Sequence, residues 1–559
     1  MTAVLLVMLV LLAAMPAVAA QPDAGSILRE FEQKPPVMPE SRPAGKPLEM
    51  PPDTDKAGLK IKVAGFDFEG LTLFPADELR RELAVLIGKE LSLKQLEVAP
   101  QTIISYYRSR GRIASAFIPR QEVKDGRLLI RIVEGSLGTV TIDPKSTSRL
   151  RPELALGYLL RGNSPGGKID MEALEAALRL LKGLPGVTAS STLLPGKARE
   201  TSDLLLTLGD APLISGSLEV DNHGSRSSGE TRGAMSLNLN NYFGYGDQLS
   251  LRGQTSFKNN YGRLSGSIPV GVDGSRLAMA VSYLQYDLDN ELDAMGDAFV
   301  ANLNYSFPTI HYRKLNLSGQ SGYEYRRLNN KSLGAAVSDK RLNVVTAGLN
   351  IDSSDYLLGG GFNSFSIGFG GGYYDPSAVS ADKQLDNAGP RSSGFFGKIP
   401  FSMSRTQTIK ENSSTFSLSV SGQFALKNLD SSEQFSAGGV YGVRAYPTNE
   451  GSGDTVVIVS AELRQMLHQT LQAGLFYDVG WLRQHTDLWG DWRTGSSAPN
   501  EYSLDGAGLS LTWTPAGWCM LKGIVASRLR SNPGADEHGK DQDGTKKEPR
   551  FWLQALVTF

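Results

Sequence analysis

Beyond its first twenty residues, this 559-residue chain contains no apolar run of about eighteen residues, the length a spanning helix needs, which excludes a helical membrane protein. It has a single cysteine, Cys519, so there is no internal disulfide framework, and that cysteine lies too far from the start to carry a lipid anchor. It lacks an excess of either charge, with 57 basic against 58 acidic side chains, and so gives no support for a nucleic-acid partner. Its five histidines, among them His223, His311 and His468, have no ligand spacing, and neither a metal nor a cofactor is expected. Hydrophobic residues make up only 40%, and the mean hydropathy is −0.20. One membrane class survives that average, because a transmembrane barrel hides its apolar residues by alternation. What the chain does have is glycine, 61 in all, as many strands and turns require.

The start, residues 1–20, has the apolar run 4–14, then Pro16 and Ala17-Val18-Ala19-Ala20, and reads as a signal peptide although no Lys or Arg precedes the run. Residues 21–34 hold a short amphipathic helix in which Ile27, Leu28 and Phe31 make an apolar stripe behind Ser26 as a cap. Residues 35–58 carry Pro35, Pro36, Pro39, Pro43, Pro47, Pro51 and Pro52, a linker that builds no core and leaves the helix tethered.

Residues 59–136 and 137–210 read as two copies of one unit, strand–helix–helix–strand–strand. In the first copy, strand 61–68 precedes helices 75–88 and 92–110, the second opened by the capping box Ser92-x-x-Gln95 and stopped by Gly111. Strands 113–118 and 128–133 then flank Lys124-Asp125-Gly126, a hairpin signal. The second copy repeats this with 137–142, 152–160, 170–182, 190–194 and 203–208.

From 211 to 559 the texture becomes sixteen alternating segments. In Phe416-Ser-Leu418-Ser-Val420-Ser-Gly422-Gln-Phe424, apolar residues occupy one face and Ser417, Ser419, Ser421 and Gln423 the other. If the first segment rises from the periplasm, the even-to-odd links are short, while 375–392, 426–455, 484–502 and 529–549 are long. Short periplasmic turns and long extracellular loops are the habit of outer-membrane barrels. The last segment, 550–559, alternates up to a terminal Phe559, which resembles the barrel recognition signal.

Two motifs carry the chemistry. Gly439-Val-Tyr-Gly-Val-Arg444-Ala-Tyr446-Pro447 lies in the long sixth outer loop, and Phe476-Tyr-Asp478-Val-Gly480 in the thirteenth segment. Alternation turns Phe476, Asp478 and Gly480 toward the lumen and Leu475, Tyr477, Val479 and Trp481 toward lipid. A carboxylate in the lumen needs a partner, and the planar guanidinium of Arg444 can supply two hydrogen bonds at once. Glu462 and Arg464 read as ordinary lumen-facing polar residues. Gly162-Asn-Ser164-Pro-Gly166 spells a hydrolase elbow, but Pro165 has no N–H for an oxyanion hole, and no catalytic residue is assigned.

Together these features resemble the TpsB transporters of two-partner secretion, of the FhaC and ShlB type, with two POTRA domains ahead of a 16-stranded transmembrane β-barrel. The resemblance implies an outer-membrane protein, with POTRA domains in the periplasm, that secretes a large exoprotein bearing an N-terminal secretion domain. It further implies that Arg444 and Tyr446 on the loop lock onto Phe476, Asp478 and Gly480, that the helix plugs the pore, and that the POTRA domains bind cargo. Cargo is expected to add a strand at the edge carrying Ser190, Thr192 and Leu194. Lipid, periplasmic chaperones and the barrel assembly machinery are the other implied partners of a monomer. An alternative is an assembly factor for other barrels or autotransporters, which shares the loop and strand motifs. The family tetrad Val-Arg-Gly-Tyr is here Val443-Arg444-Ala445-Tyr446, and because alanine takes positive φ less readily than glycine, an altered loop tip is expected.

Overall fold

The structure, a computed structural model, describes residues 22–32, 60–123, 125–198, 201–288, 293–311, 314–411, 413–493 and 498–559. The expected signal peptide and proline-rich linker lie outside the described residues.

Sixteen antiparallel strands, from Ile214–Asp221 to Arg550–Thr558, follow one another around a closed barrel. The last pairs with the first, from Gln554 against Asp221 to Thr558 against Ser217. Alternation is the cause: on the eleventh strand, Ser414–Ala425, Phe416, Leu418 and Phe424 point out and are exposed, while Ser417 and Gln423 are buried within. Leu249, Leu251, Met279, Val281, Leu509 and Leu511 continue the outward apolar band. Such a band is unstable in water and suited to lipid, and closure satisfies every strand edge. Among the described residues no helix is long and apolar enough to cross a membrane; the strands cross it.

All sixteen expected segments are strands, and the largest departures are extensions. The eighth runs over Ala335–Asp355 where alternation alone marks 340–352, because the seventh, Leu315–Ser332, stays paired with it beyond the apolar band, through a register shift at Asn330/Lys331. Long loops 376–393, 426–454 and 529–549 gather at one end, and turns such as 241–247 and 270–275 at the other.

Each N-terminal repeat is a three-stranded sheet with helices on one side. In the first, Arg127–Glu134 is central, with Gly65–Glu69 parallel to it and Ala114–Phe117 antiparallel. The second has the same order, with Thr201–Asp210 between parallel Ser136–Ile142 and antiparallel Val187–Pro195. Asp125 and Gly126 both have positive φ, as the hairpin signal requires. Three expectations need correction. The strand at 61–68 divides into Lys60–Lys62 and Gly65–Glu69, because between them Val63 and Ala64 donate to Lys89 and Gly126 and turn the chain to a second partner. The helix expected at 75–88 ends at Glu82 and continues as a 3₁₀ turn, Ala84–Leu86. The helix at 92–110 keeps its capping box but splits into Leu93–Leu96 and Val98–Ser109, since Pro100 has no N–H to give to Leu96.

The second repeat is fastened to the short-turn end of the barrel. Arg151 donates its backbone N–H to Gly244 O at 2.9 Å, and its guanidinium lies 3.8 Å from the Tyr245 ring centroid. The N-terminal helix, Ala24–Glu32, lies inside the barrel, with Ile27 and Leu28 fully buried and Phe31 stacked on Tyr261 at 5.4 Å. Its cap is Asp23 rather than Ser26: Asp23 Oδ1 accepts from Ser26 N at 2.9 Å, while Ser26 Oγ accepts from Asp23 N at 3.0 Å.

Candidate functional site

The sixth outer loop, 426–454, folds back into the lumen because its own backbone closes it into a compact unit. Phe435–Ser436 pairs with Ser452–Gly453. Val443 N donates to Ala437 O at 2.8 Å and Tyr446 N to Val443 O at 3.1 Å. The tip thus presents Arg444 toward the twelfth strand, Thr455–His468, and the thirteenth, Leu471–Arg483.

There Arg444 meets Asp478 in a two-point pair, with Nε to Oδ2 and Nη2 to Oδ1 both at 2.8 Å. Its backbone N–H also donates to Asp478 Oδ2 at 3.1 Å. Asp478 is 0% exposed, so its charge is matched by this arginine and by Ser460 Oγ, which donates to Oδ1 at 2.6 Å. The guanidinium lies 3.4 Å from the Phe476 ring centroid, a cation over an aromatic face. Gly480 faces Val443 and Ala437 of the loop. Tyr446 is fully buried, and Arg528 of the fifteenth strand lies 5.0 Å from its ring centroid.

Four partners were not singled out from the sequence. Glu462 Oε2 accepts from Arg444 Nη1 at 3.2 Å and shares Arg464 at 3.2 Å, so the residue read as ordinary lumen polarity is part of the cluster. Ser460 is the second. Trp552 of the sixteenth strand donates Nε1–H to Arg444 O at 2.8 Å. Gly506 of the fourteenth strand is the last: a side chain there would overlap the methyl of Ala445. Alternation flagged Glu462 as lumen-facing, but only closure of the sheet brings strands fourteen and sixteen to the tip. Positive φ in this loop falls on Gly439, Asn449 and Gly451, and Ala445 needs none.

The other expected residues lie elsewhere. Ser190, Thr192 and Leu194 line the outward face of Val187–Pro195, an edge strand whose sheet neighbour is Thr201–Asp210; Leu194 is 42% exposed. Ile27, Leu28 and Phe31 pack against the inner wall with Leu284, Tyr286, Leu328 and Leu342. Phe559 is exposed, and its backbone exchanges two hydrogen bonds with Gly216 on the first strand, at 2.8 and 3.0 Å.

The family model for the haemolysin secretion/activation proteins ShlB/FhaC/HecB matches residues 200–498, and that for the ShlB-type POTRA domain matches residues 61–135. The heme/hemopexin transporter protein HuxB of Haemophilus influenzae is 27% identical over 561 residues, which cover 96% of this chain and 95% of HuxB. The outer membrane transporter CdiB of Dickeya dadantii is 25% identical over 377 residues, 65% of each chain. Among solved structures, CdiB from Escherichia coli superposes with a TM-score of 0.69 at 20% identity, covering 96% of both chains. BamA from Haemophilus ducreyi, lacking its POTRA domains 1–3, shares the fold at a TM-score of 0.54 and 14% identity over 90% of this chain and 100% of that one. The closed barrel, the ShlB-type POTRA domain before it and a family match over more than half of the chain agree: the protein belongs to the ShlB/FhaC/HecB family, the outer-membrane transporters of two-partner secretion, with its barrel in the outer membrane and its POTRA region in the periplasm.

Proposed function

We propose that this transporter exports one large exoprotein, recognised through an N-terminal secretion domain that adds a strand to the edge Val187–Pro195 along Ser190, Thr192 and Leu194. The pore is shut at rest by the helix Ala24–Glu32, and the seating of Arg444 on Asp478 holds the long loop in the conformation that transport requires. The observation that carries this reading is that the lumen is filled by two segments outside the wall, a helix and a loop, each held by ion pairs and hydrogen bonds that water or a passing chain can replace. An open edge strand near the mouth suits an unfolded chain, because backbone pairing gives affinity with modest demands on sequence. The transporter works as a monomer in lipid, placed there by periplasmic chaperones and the barrel assembly machinery. It performs no catalytic step and uses no cofactor, metal or nucleic acid.

A photo-crosslinking residue in place of Thr192 in the full chain tests the recognition step. It is expected to capture exoprotein during export, whereas one at Val85, exposed on the first repeat away from that edge, is not. Equal capture at both positions, or none at Thr192 while export proceeds, overturns the edge-strand reading.

A further inference from the structure

Away from Arg444, the sixth loop opens with the turn Asp430-Ser431-Ser432-Glu433. Glu433 N donates to Asp430 O at 2.9 Å, and Ser432 N and Oγ donate to Asp430 Oδ1 at 3.1 and 2.7 Å. Both carboxylates are buried, Glu433 to 1% exposure. Each finds cations on the wall, and on a different arc from Asp478. Asp430 Oδ2 pairs with Lys340 Nζ of the eighth strand at 2.8 Å. Glu433 pairs with Lys398 Nζ of the tenth strand at 2.8 Å and with Arg326 Nη1 of the seventh at 3.0 Å. Lys398 Nζ and Gln423 Nε2 also donate to Glu433 O, both at 2.9 Å, and Arg326 Nη1 to Ser432 O at 3.1 Å. Burying two carboxylates is costly unless they are paired, and here three cations from three strands pair them.

The same turn receives the N-terminal helix. Ser431 Oγ donates to Asp23 Oδ2 at 2.7 Å, and Asp23 shares Lys340 with Asp430 at 3.3 Å. Arg29 Nη1 donates to Ser431 O at 3.0 Å, and its Nη2 to Ser452 Oγ at 2.9 Å, at the far end of the loop. At Gly25 a Cβ would lie 2.8 Å from Ser432 Cβ and 2.9 Å from its backbone nitrogen, so only glycine allows this approach.

We propose that Asp430 and Glu433 are positioning residues for transport: they form a second anchor of the sixth loop, and that anchor is also the seat of the N-terminal helix. Departure of the helix takes two partners from Ser431 and one from Lys340, and displacement of the turn takes Ser431 from both Asp23 and Arg29 and leaves Lys340 on the wall with Asp23. Plug release and loop release are therefore coupled through Ser431. The inference rests on the reading that helix and loop together control the pore.

The test uses the full chain in planar bilayers and in cells. Asp430→Asn with Glu433→Gln removes both charges and keeps the volume. Its open fraction is expected to rise about tenfold, the scale of losing one coupled buried interaction, while the barrel remains folded by heat-modifiable mobility. Deleting residues 23–32 is expected to raise the open fraction to a similar level, and combining the deletion with the double variant to add little, since both empty the same seat. Lys398→Arg, which keeps the charge, is expected to stay with the parent. Lys398→Met, which leaves the loop sequence intact, is expected to join the open group and carries the same test if the double variant does not assemble. A folded variant as closed as the parent, or multiplicative effects of turn and helix changes, overturns the inference. Arg444→Ala measured alongside separates the two readings. Lost secretion there with a closed Asp430/Glu433 variant leaves Arg444 as the lone anchor, and the converse result retains the second anchor and removes Arg444 from its role.

Discussion

At the residue scale, Arg444 is bound by geometry as well as by charge. Its fork matches both oxygens of Asp478, while its remaining N–H groups reach Ser460 and Glu462. Removing one member of such a buried pair costs about 3–5 kcal/mol where the site is dry, and less where water reaches it. Arg444→Ala is expected to reduce secretion severely while the barrel still inserts, and Arg444→Lys to rescue poorly, because a point charge cannot span both oxygens. The combination with Asp478→Ala decides whether the two act together: secretion no worse than in the single variants is expected, and independent multiplicative losses would show the pair to be uncoupled. Gly506 gives a second test. Gly506→Val places a side chain where the methyl of Ala445 sits, and a fall in secretion is expected that Ala445→Gly partly restores. No restoration would mean that Gly506 matters for the strand and not for the loop.

Elements show how local chemistry is recruited into larger units. The N-terminal helix is too short to be stable alone and owes its order to the lumen, where its apolar stripe and its charges both find partners. Deleting residues 23–32 is expected to raise single-channel conductance in planar bilayers, and unchanged conductance would place the resistance elsewhere. In the first repeat, Glu134 ends the central strand and accepts from Thr72 N at 2.9 Å, Leu73 N at 2.8 Å and the Tyr107 hydroxyl at 2.8 Å. Burial pushes its carboxyl up, but these hydrogen bonds outweigh it and hold the group below its ordinary value. A depressed folded-state pKa gives stability that is present above the ordinary glutamate value of about 4.3 and lost as the pH falls through the folded value. Glu134→Gln is expected to lower the stability of residues 60–135 by about 1–3 kcal/mol at neutral pH. The difference should shrink below about pH 4, read by hydrogen exchange in the full-length protein. A difference that persists unchanged at low pH would assign the loss to shape and not to charge.

At the scale of the whole molecule, barrel and site were legible to different depths. Period-2 alternation and the parity of loop lengths placed all sixteen strands, because each lipid-facing residue must be apolar whatever its neighbours are. The same logic put Asp478 in the lumen and Arg444 in the sixth loop. It failed locally where one missing N–H mattered, as at Pro100, or where a short strand changed partners at Val63-Ala64. It also read Glu462 as bland and gave no reason to notice Trp552, Gly506, Asp430 or Glu433, whose partners lie tens to hundreds of residues away in the chain. The sequence by itself determined the strand count, the orientation of each face, the repeat organisation and the two residue types that had to pair, since these follow from local periodicity and from the cost of an unmatched charge. Only the tertiary structure decided which wall residues meet the loop and the helix, because closing the sheet brings the first and last strands together and sets distant strands around one narrow lumen, a proximity with no local signature along the chain.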